Sequence, residues 1–169
     1  MRRVTRLLYW LWKVLPLPAW GQWTLLWLGN AKFLVGVQGV VFNDAEQVLL
    51  LHHTYRERPW GLPGGFATRH EAVGAALARE LAEETGLTIS IGDAFHIATT
   101  PARSHLTAYL LCHYHGGTFR PSAEIAAMRF CPLDALPPEL GKQQPILEKG
   151  LALWRRHKAE GQAPECLVP

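Results

Sequence analysis

Between Gly65 and Leu87 the chain places Glu80, Glu83 and Glu84 within one helical turn, directly after Arg79 and downstream of the Gly-rich approach Leu62-Pro63-Gly64-Gly65. Carboxylates at i, i+3 and i+4 share a helix face and repel, so a helix selected for stability alone would interleave Lys there. The stretch is still strongly helical. Residues 72–84 are rich in Ala, Leu and Glu; Val73, Leu77 and Leu81 form an apolar stripe, and Ala75, Ala78 and Ala82 a small-residue side. At about 100° per residue, Glu80 and Glu84 fall beside the Leu stripe, at the edge of the face that packs. Carboxylates next to low dielectric either take up a proton or acquire a cation. A hard divalent ion with oxygen ligands, Mg²⁺ or Mn²⁺, offsets such crowding and keeps coordination positions for water and phosphate oxygens. A solvated acidic face is the plain alternative, and the apolar edge argues against it. Gly86 is suited to end the helix, and Leu87 opens an apolar run toward a strand.

Around this helix the chain reads as α/β. Residues 33–42 are β-rich, Asn43-Asp44 supplies a turn, and 48–52 return as a second strand. Strands follow at 88–99, 107–115 and 126–132, with Gly116-Gly117 as a turn and 134–138 as a short cap. Residues 145–158 form an amphipathic helix with Leu147, Leu151 and Trp154 on one face. A mixed sheet with helices on its faces is expected. At 169 residues, 49% hydrophobic, the chain can bury one core, and it contains no internal repeat. Cys112, Cys131 and Cys166 are widely spaced and include no CxxC pair, so neither a disulfide framework nor a zinc site is indicated and a reducing cytoplasm is the default. The net charge of +3 is concentrated at the two ends, and no long basic tract suits duplex nucleic acid.

Counting from Gly65, five residues precede Glu71 and seven more precede Arg79-Glu80-Leu81-Ala82-Glu83-Glu84-Thr85-Gly86-Leu87. This spacing resembles the complete signature of the Nudix hydrolases, with every fixed position filled. The resemblance extends loosely over Phe33 to Leu136. It implies an α/β/α sandwich with a mixed sheet, to which this chain adds N-terminal apolar helices and a C-terminal helix. The expected division is a Trp-rich helical extension over 1–31, the domain with its C-terminal helix over 32–160, and a tail over 161–169. The resemblance also implies metal-dependent hydrolysis of a nucleoside diphosphate linked to another moiety, an ADP-ribose-like sugar nucleotide being slightly favoured. Nucleoside triphosphates, including oxidised ones, and a non-catalytic nucleotide sensor are the alternatives; binding alone would not need three repelling carboxylates.

By position in the signature, Glu80 and Glu84 are expected as metal ligands, with the Gly65 carbonyl as a further oxygen. Glu83 is expected as a ligand or as the group that takes the proton of water. Arg79 should orient the carboxylates through a bidentate pair, while Glu71 is read as a structural ion-pair partner. Outside the signature, Glu124 resembles the family's acidic residue before a strand, a further metal ligand or base. Arg56, Arg58 and Trp60, with Tyr55, offer cations and aromatic faces to a nucleotide, and Arg103 lies on a loop suited to cover the site. Pro101 stands where the family carries a proline associated with ADP-ribose hydrolysis. His52, His53, His113 and His115 read as polar strand positions.

Residues 4–28 hold Trp10, Trp12, Trp20, Trp23 and Trp27 among Leu and Val, behind Arg2, Arg3 and Arg6. Lys13, Pro16, Pro18, Gly21 and Gln22 argue against a single span of about twenty residues, and no small-residue cleavage site follows. Two short helices split at Pro16–Pro18 are expected, packing on the domain or across a homodimer. A peripheral membrane contact through residues 1–30 is the alternative.

Overall fold

The computed structural model describes residue 10, residues 18–161 and the backbone of 166–168. The chain divides into two compact units, residues 1–32 and 33–169. In the first, helix α1 spans Ala19–Gly29. Pro18 precedes it with φ −61° and ψ 156°, an extended entry that the proline ring favours. Asn30 closes it, donating from both its side-chain amide and its backbone N–H to the Leu26 carbonyl. This is the second of the two expected helices; the first falls outside the described residues. Among the described residues no helix is long and apolar enough to cross a membrane.

The second unit is built on one mixed sheet. Its strands are β1 (Leu34–Phe42), β2 (Val48–His53), β3 (Trp60–Gly61), β4 (Gly64–Phe66), β5 (Leu87–Thr100), β6 (His105–Gly117), β7 (Ile125–Cys131) and β8 (Cys166–Val168). The order is β3-β2-β1-β6-β5-β8, with β4 also on β1 and β7 also on β2. β1 and β6 run parallel from Leu34 opposite His105 to Phe42 opposite His113; the other pairings are antiparallel. Helix α2 (Val73–Glu84) covers one face and helix α3 (Gln144–Ala159) belongs to the other. Alternation along the strands divides the core accordingly. Val37, Val41, Leu49, Leu51 and Leu110 pack with Ala76, Leu77 and Leu81 of α2. Val40, Phe42, Val48, Leu50 and Leu111 pack with Leu147 and Trp154 of α3. The result is the expected α/β/α sandwich.

Elements missed from sequence are the short ones. β3 and β4 hold two and three residues, too few to display a period, and β8 lies in the segment read as a tail. α2 ends as expected: the Thr85 hydroxyl bonds the Leu81 carbonyl at 2.7 Å, and Gly86 takes the left-handed φ of +67° that glycine tolerates.

Candidate functional site

Three local structures bring the acidic groups together. β4 pairs antiparallel with β1, placing Gly65 opposite Val37 and Gly64 opposite Gln38. This lays the Gly-rich turn against α2 so closely that a Cβ on Gly65 would overlap the Glu80 carboxylate. Gly64 has φ +150°, and a Cβ there would strike the backbone of Val37 and Gln38. β7 is joined to β2, and beyond the ladder the Thr54 N–H donates to the Glu124 carbonyl at 2.9 Å. A carboxylate 40 positions downstream of the helix is thereby drawn to its acidic end.

Arg79 organises the rim. Its Nε and a terminal nitrogen donate to the two oxygens of Glu71 at 2.9 and 3.2 Å, and that carboxylate also accepts from the Thr68 N–H and hydroxyl. These bonds pull the Glu71 carboxyl down to about 2, the Arg79 bond contributing most. Arg79 gives one further bond to Glu80 Oε1 at 2.9 Å, one to the Phe66 carbonyl at 3.1 Å, and approaches Glu83 at 3.6 Å. The bidentate pair expected for the metal-ligand carboxylates therefore closes on Glu71 instead. The planar guanidinium matches Glu71 because the 68–71 turn presents both oxygens side-on, leaving Glu80 a single donor.

The other two carboxylates of the helix differ in setting. The Glu83 side chain is 63% exposed. Glu84 retains only 9% of its surface, and its Oε2 has no hydrogen-bond partner in the protein. Burial, then the charges of Glu80 and Glu124, push its carboxyl up to about 7, with Arg56 acting in the opposite direction. A buried acid crowded by like charge is a group in want of a cation. Among the described residues no three His, Cys, Asp or Glu side chains already surround a point as ligands. Glu80 instead leans on Arg79. The donor set of Glu80, Glu84 and Glu124 consists of hard oxygens, the chemistry that Mg²⁺ and Mn²⁺ take.

Of the residues expected to read substrate, Arg56 is brought to this site, since its charge acts on Glu84. It lies over the Tyr55 ring at 5.4 Å and bonds the Tyr55 hydroxyl at 3.3 Å. Trp60 is not brought there. It stands on the opposite face of the sheet, packed on the α3-side core, edge-on to His52 at 5.1 Å and under the Arg129 guanidinium at 4.1 Å. Arg58 is exposed in the β2–β3 turn, and Arg103 and Pro101 on the 3₁₀ turn Pro101–Arg103 that links β5 to β6. Beyond that turn His105, the first residue of β6, holds its ring 5.6 Å from Phe66 of β4.

His53 is the residue whose surroundings the sequence left unseen. A register shift in the β2–β7 ladder falls between His52 and His53. His53 is buried against Tyr55, its ring nitrogens lack partners, and burial followed by Arg56 holds it down to about 4. A Cβ on Gly61 would lie 3.1 Å from an Arg56 nitrogen and 3.3 Å from His53 Nε2, so both groups crowd one glycine. A histidine directly ahead of an arginine-bearing turn is the only sequence cue. On the far strand, His115 bonds Ser90 at 2.9 Å and His113 lies 3.5 Å from Asp44.

A family model described as the NUDIX domain matches residues 32–152. A MutT-like protein of Streptomyces ambofaciens is 29% identical over 94 residues, 56% of this chain and 60% of that protein. Nudix hydrolase 8 of Arabidopsis thaliana is 29% identical over 125 residues, 70% of this chain and 31% of that protein. The chain thus spans only part of the length of the curated relatives it matches. The solved structure of an ADP-ribose pyrophosphatase from Streptococcus suis superposes with a TM-score of 0.62 at 28% identity, covering 73% of this chain and 93% of that one.

Proposed function

This chain belongs to the NUDIX domain family, and from that premise we propose that it hydrolyses the diphosphate linkage of a nucleoside diphosphate derivative, an ADP-ribose-like sugar nucleotide being favoured. The observation that carries the reading is Glu84: a buried carboxylate with an unpartnered oxygen, pressed by Glu124 and by Glu80, whose own carboxylate lies against Gly65. Stability alone gives no reason to build this. The likeness to the Streptococcus suis pyrophosphatase supports the choice of substrate.

Glu80, Glu84 and Glu124, with the Gly65 carbonyl, would hold Mg²⁺ or Mn²⁺. When bound, such ions neutralise the diphosphate oxygens and acidify water. The remaining work falls to the chain's own groups. Arg79 fixes the Glu80 carboxylate and is itself braced by Glu71 and the Phe66 carbonyl. Arg56, whose charge acts on Glu84, would meet phosphate oxygens of the substrate. Glu83, exposed at the rim, takes the proton as water forms its bond to phosphorus. The bridging P–O bond breaks in line, and its electron pair leaves with the departing phosphate.

The test is a panel of ADP-ribose, other nucleoside diphosphate sugars and nucleoside triphosphates in Mg²⁺ or Mn²⁺, with products resolved by chromatography. Cleavage of ADP-ribose to AMP and ribose 5-phosphate is the expected outcome. Release of pyrophosphate from triphosphates instead would move the substrate assignment. Tight nucleotide binding with no cleavage of any member would overturn hydrolysis in favour of a sensor.

A further inference from the structure

Independently of the hydrolase reading, residues 1–32 carry a chemistry that the site does not use. Five of the chain's seven Trp fall within its first 27 residues. No Asp or Glu occurs before Asp44, whereas Arg2, Arg3, Arg6, Lys13 and Lys32 are basic. In α1 the indoles of Trp20, Trp23 and Trp27 recur at i, i+3 and i+7 and so share one face. They are 73%, 72% and 61% exposed, while Gly21 is buried and Leu25 half-buried on the other side. The Lys32 ammonium lies 4.6 Å from the centre of the Trp27 ring, which puts a cation at the edge of the indole row.

We propose that this segment seats the protein on the surface of an anionic lipid bilayer, with the Trp20-Trp23-Trp27 row lying at the headgroup level. Indole has an apolar body and one N–H donor, and it partitions to the boundary between hydrocarbon and water. Helix α1 itself is too short to cross. α1 has 11 residues, about 16 Å at 1.5 Å each, against a hydrocarbon core of about 30 Å. Charge selects the partner. Basic residues without any acid suit a phosphate-rich, negatively charged surface. The same charges oppose pairing with a second copy, which would set cations against cations. The apolar row and the cations act together, since buried apolar area and attraction to anionic lipid add in interfacial binding.

The test is co-sedimentation of the full chain with vesicles of phosphatidylcholine alone or with added phosphatidylglycerol, for the wild type and for Trp20→Ala/Trp23→Ala/Trp27→Ala. The wild type is expected to bind the anionic vesicles at least about tenfold more strongly than neutral ones, and to be released by high salt. The triple variant should lose about tenfold or more of that binding while its rate on a soluble nucleotide is unchanged. Brominated lipid should quench wild-type tryptophan fluorescence, a readout independent of whether the variant folds. A wild type that stays in the supernatant, or is not quenched, overturns the proposal. So does a triple variant that folds and binds equally well. Sedimentation with single-stranded RNA in place of vesicles would also overturn it.

Discussion

Arg79 holds three acids at once, and the division of its bonds predicts what substitution does. Lys in its place keeps the charge but loses the fork on Glu71 and the bond to Phe66, so Glu80 loses its brace. We expect Arg79→Lys to fold, to lower turnover by about tenfold or more and to leave the substrate KM within about threefold, read by steady-state kinetics at saturating Mg²⁺. Glu84 makes a prediction of opposite kind. Its carboxyl is raised in the fold, so its protonated form favours the folded state. The metal-free protein should therefore gain stability as pH falls from about 7 toward the ordinary carboxylate range, and lose it as pH rises through about 7. Glu84→Gln should flatten that slope and melt higher than wild type at about pH 8, read by thermal denaturation in chelator. Mg²⁺ should stabilise the wild type more at about pH 8 than at about pH 5.5, because ligation requires the ionised acid. Glu71 behaves conversely: its contribution is fully present above the ordinary carboxylate range and is lost progressively as pH falls from there through about 2.

At the scale of elements, what could be read from sequence depended on how local the geometry is. The acidic turn of α2 was legible because i, i+3 and i+4 specify a helix face without reference to any other segment. The edge position of Glu84 followed from the Leu77–Leu81 stripe for the same reason, and its burial agrees. The face that Trp60 takes was not legible because it depends on pairing: β3 sets it opposite His52, and strand alternation sends His52 and His53 to opposite sides of the sheet. Glu124 required the family resemblance, since only the β2–β7 ladder and the Thr54 bond bring it near the helix. Close packing supplies a further prediction. A Cβ on Gly150 of α3 would lie 3.1 Å from the Phe95 ring and 3.2 Å from Val40. Ala would gain about 1 kcal/mol of helix propensity but incur about 1–3 kcal/mol of overpacking. Gly150→Ala should thus destabilise by about 1 kcal/mol in denaturant melts while leaving the substrate KM within about threefold.

At the scale of the whole molecule, the two units are proposed to have different tasks: residues 33–169 hold the candidate carboxylate site, and residues 1–32 the indole row. If the tasks are separable, deleting residues 1–30 should leave kcat/KM on a soluble nucleotide within about threefold. Aggregation of that deletion would mean that the segment is part of the fold. The chain's own chemistry also explains why substrate identity was not legible. In the proposed function the signature serves a diphosphate, whereas the groups proposed to read the rest of a nucleotide lie on turns whose approach to the site is set by long-range pairing. The central claim is that the α2 carboxylates hydrolyse a nucleotide diphosphate. Its most direct test is the initial rate of AMP release from ADP-ribose in Mg²⁺ for wild type, Glu80→Gln and Glu84→Gln, with melting temperatures measured alongside. Each substitution should lower the rate by about a hundredfold or more while the protein remains folded; wild-type rates in both variants would contradict the account.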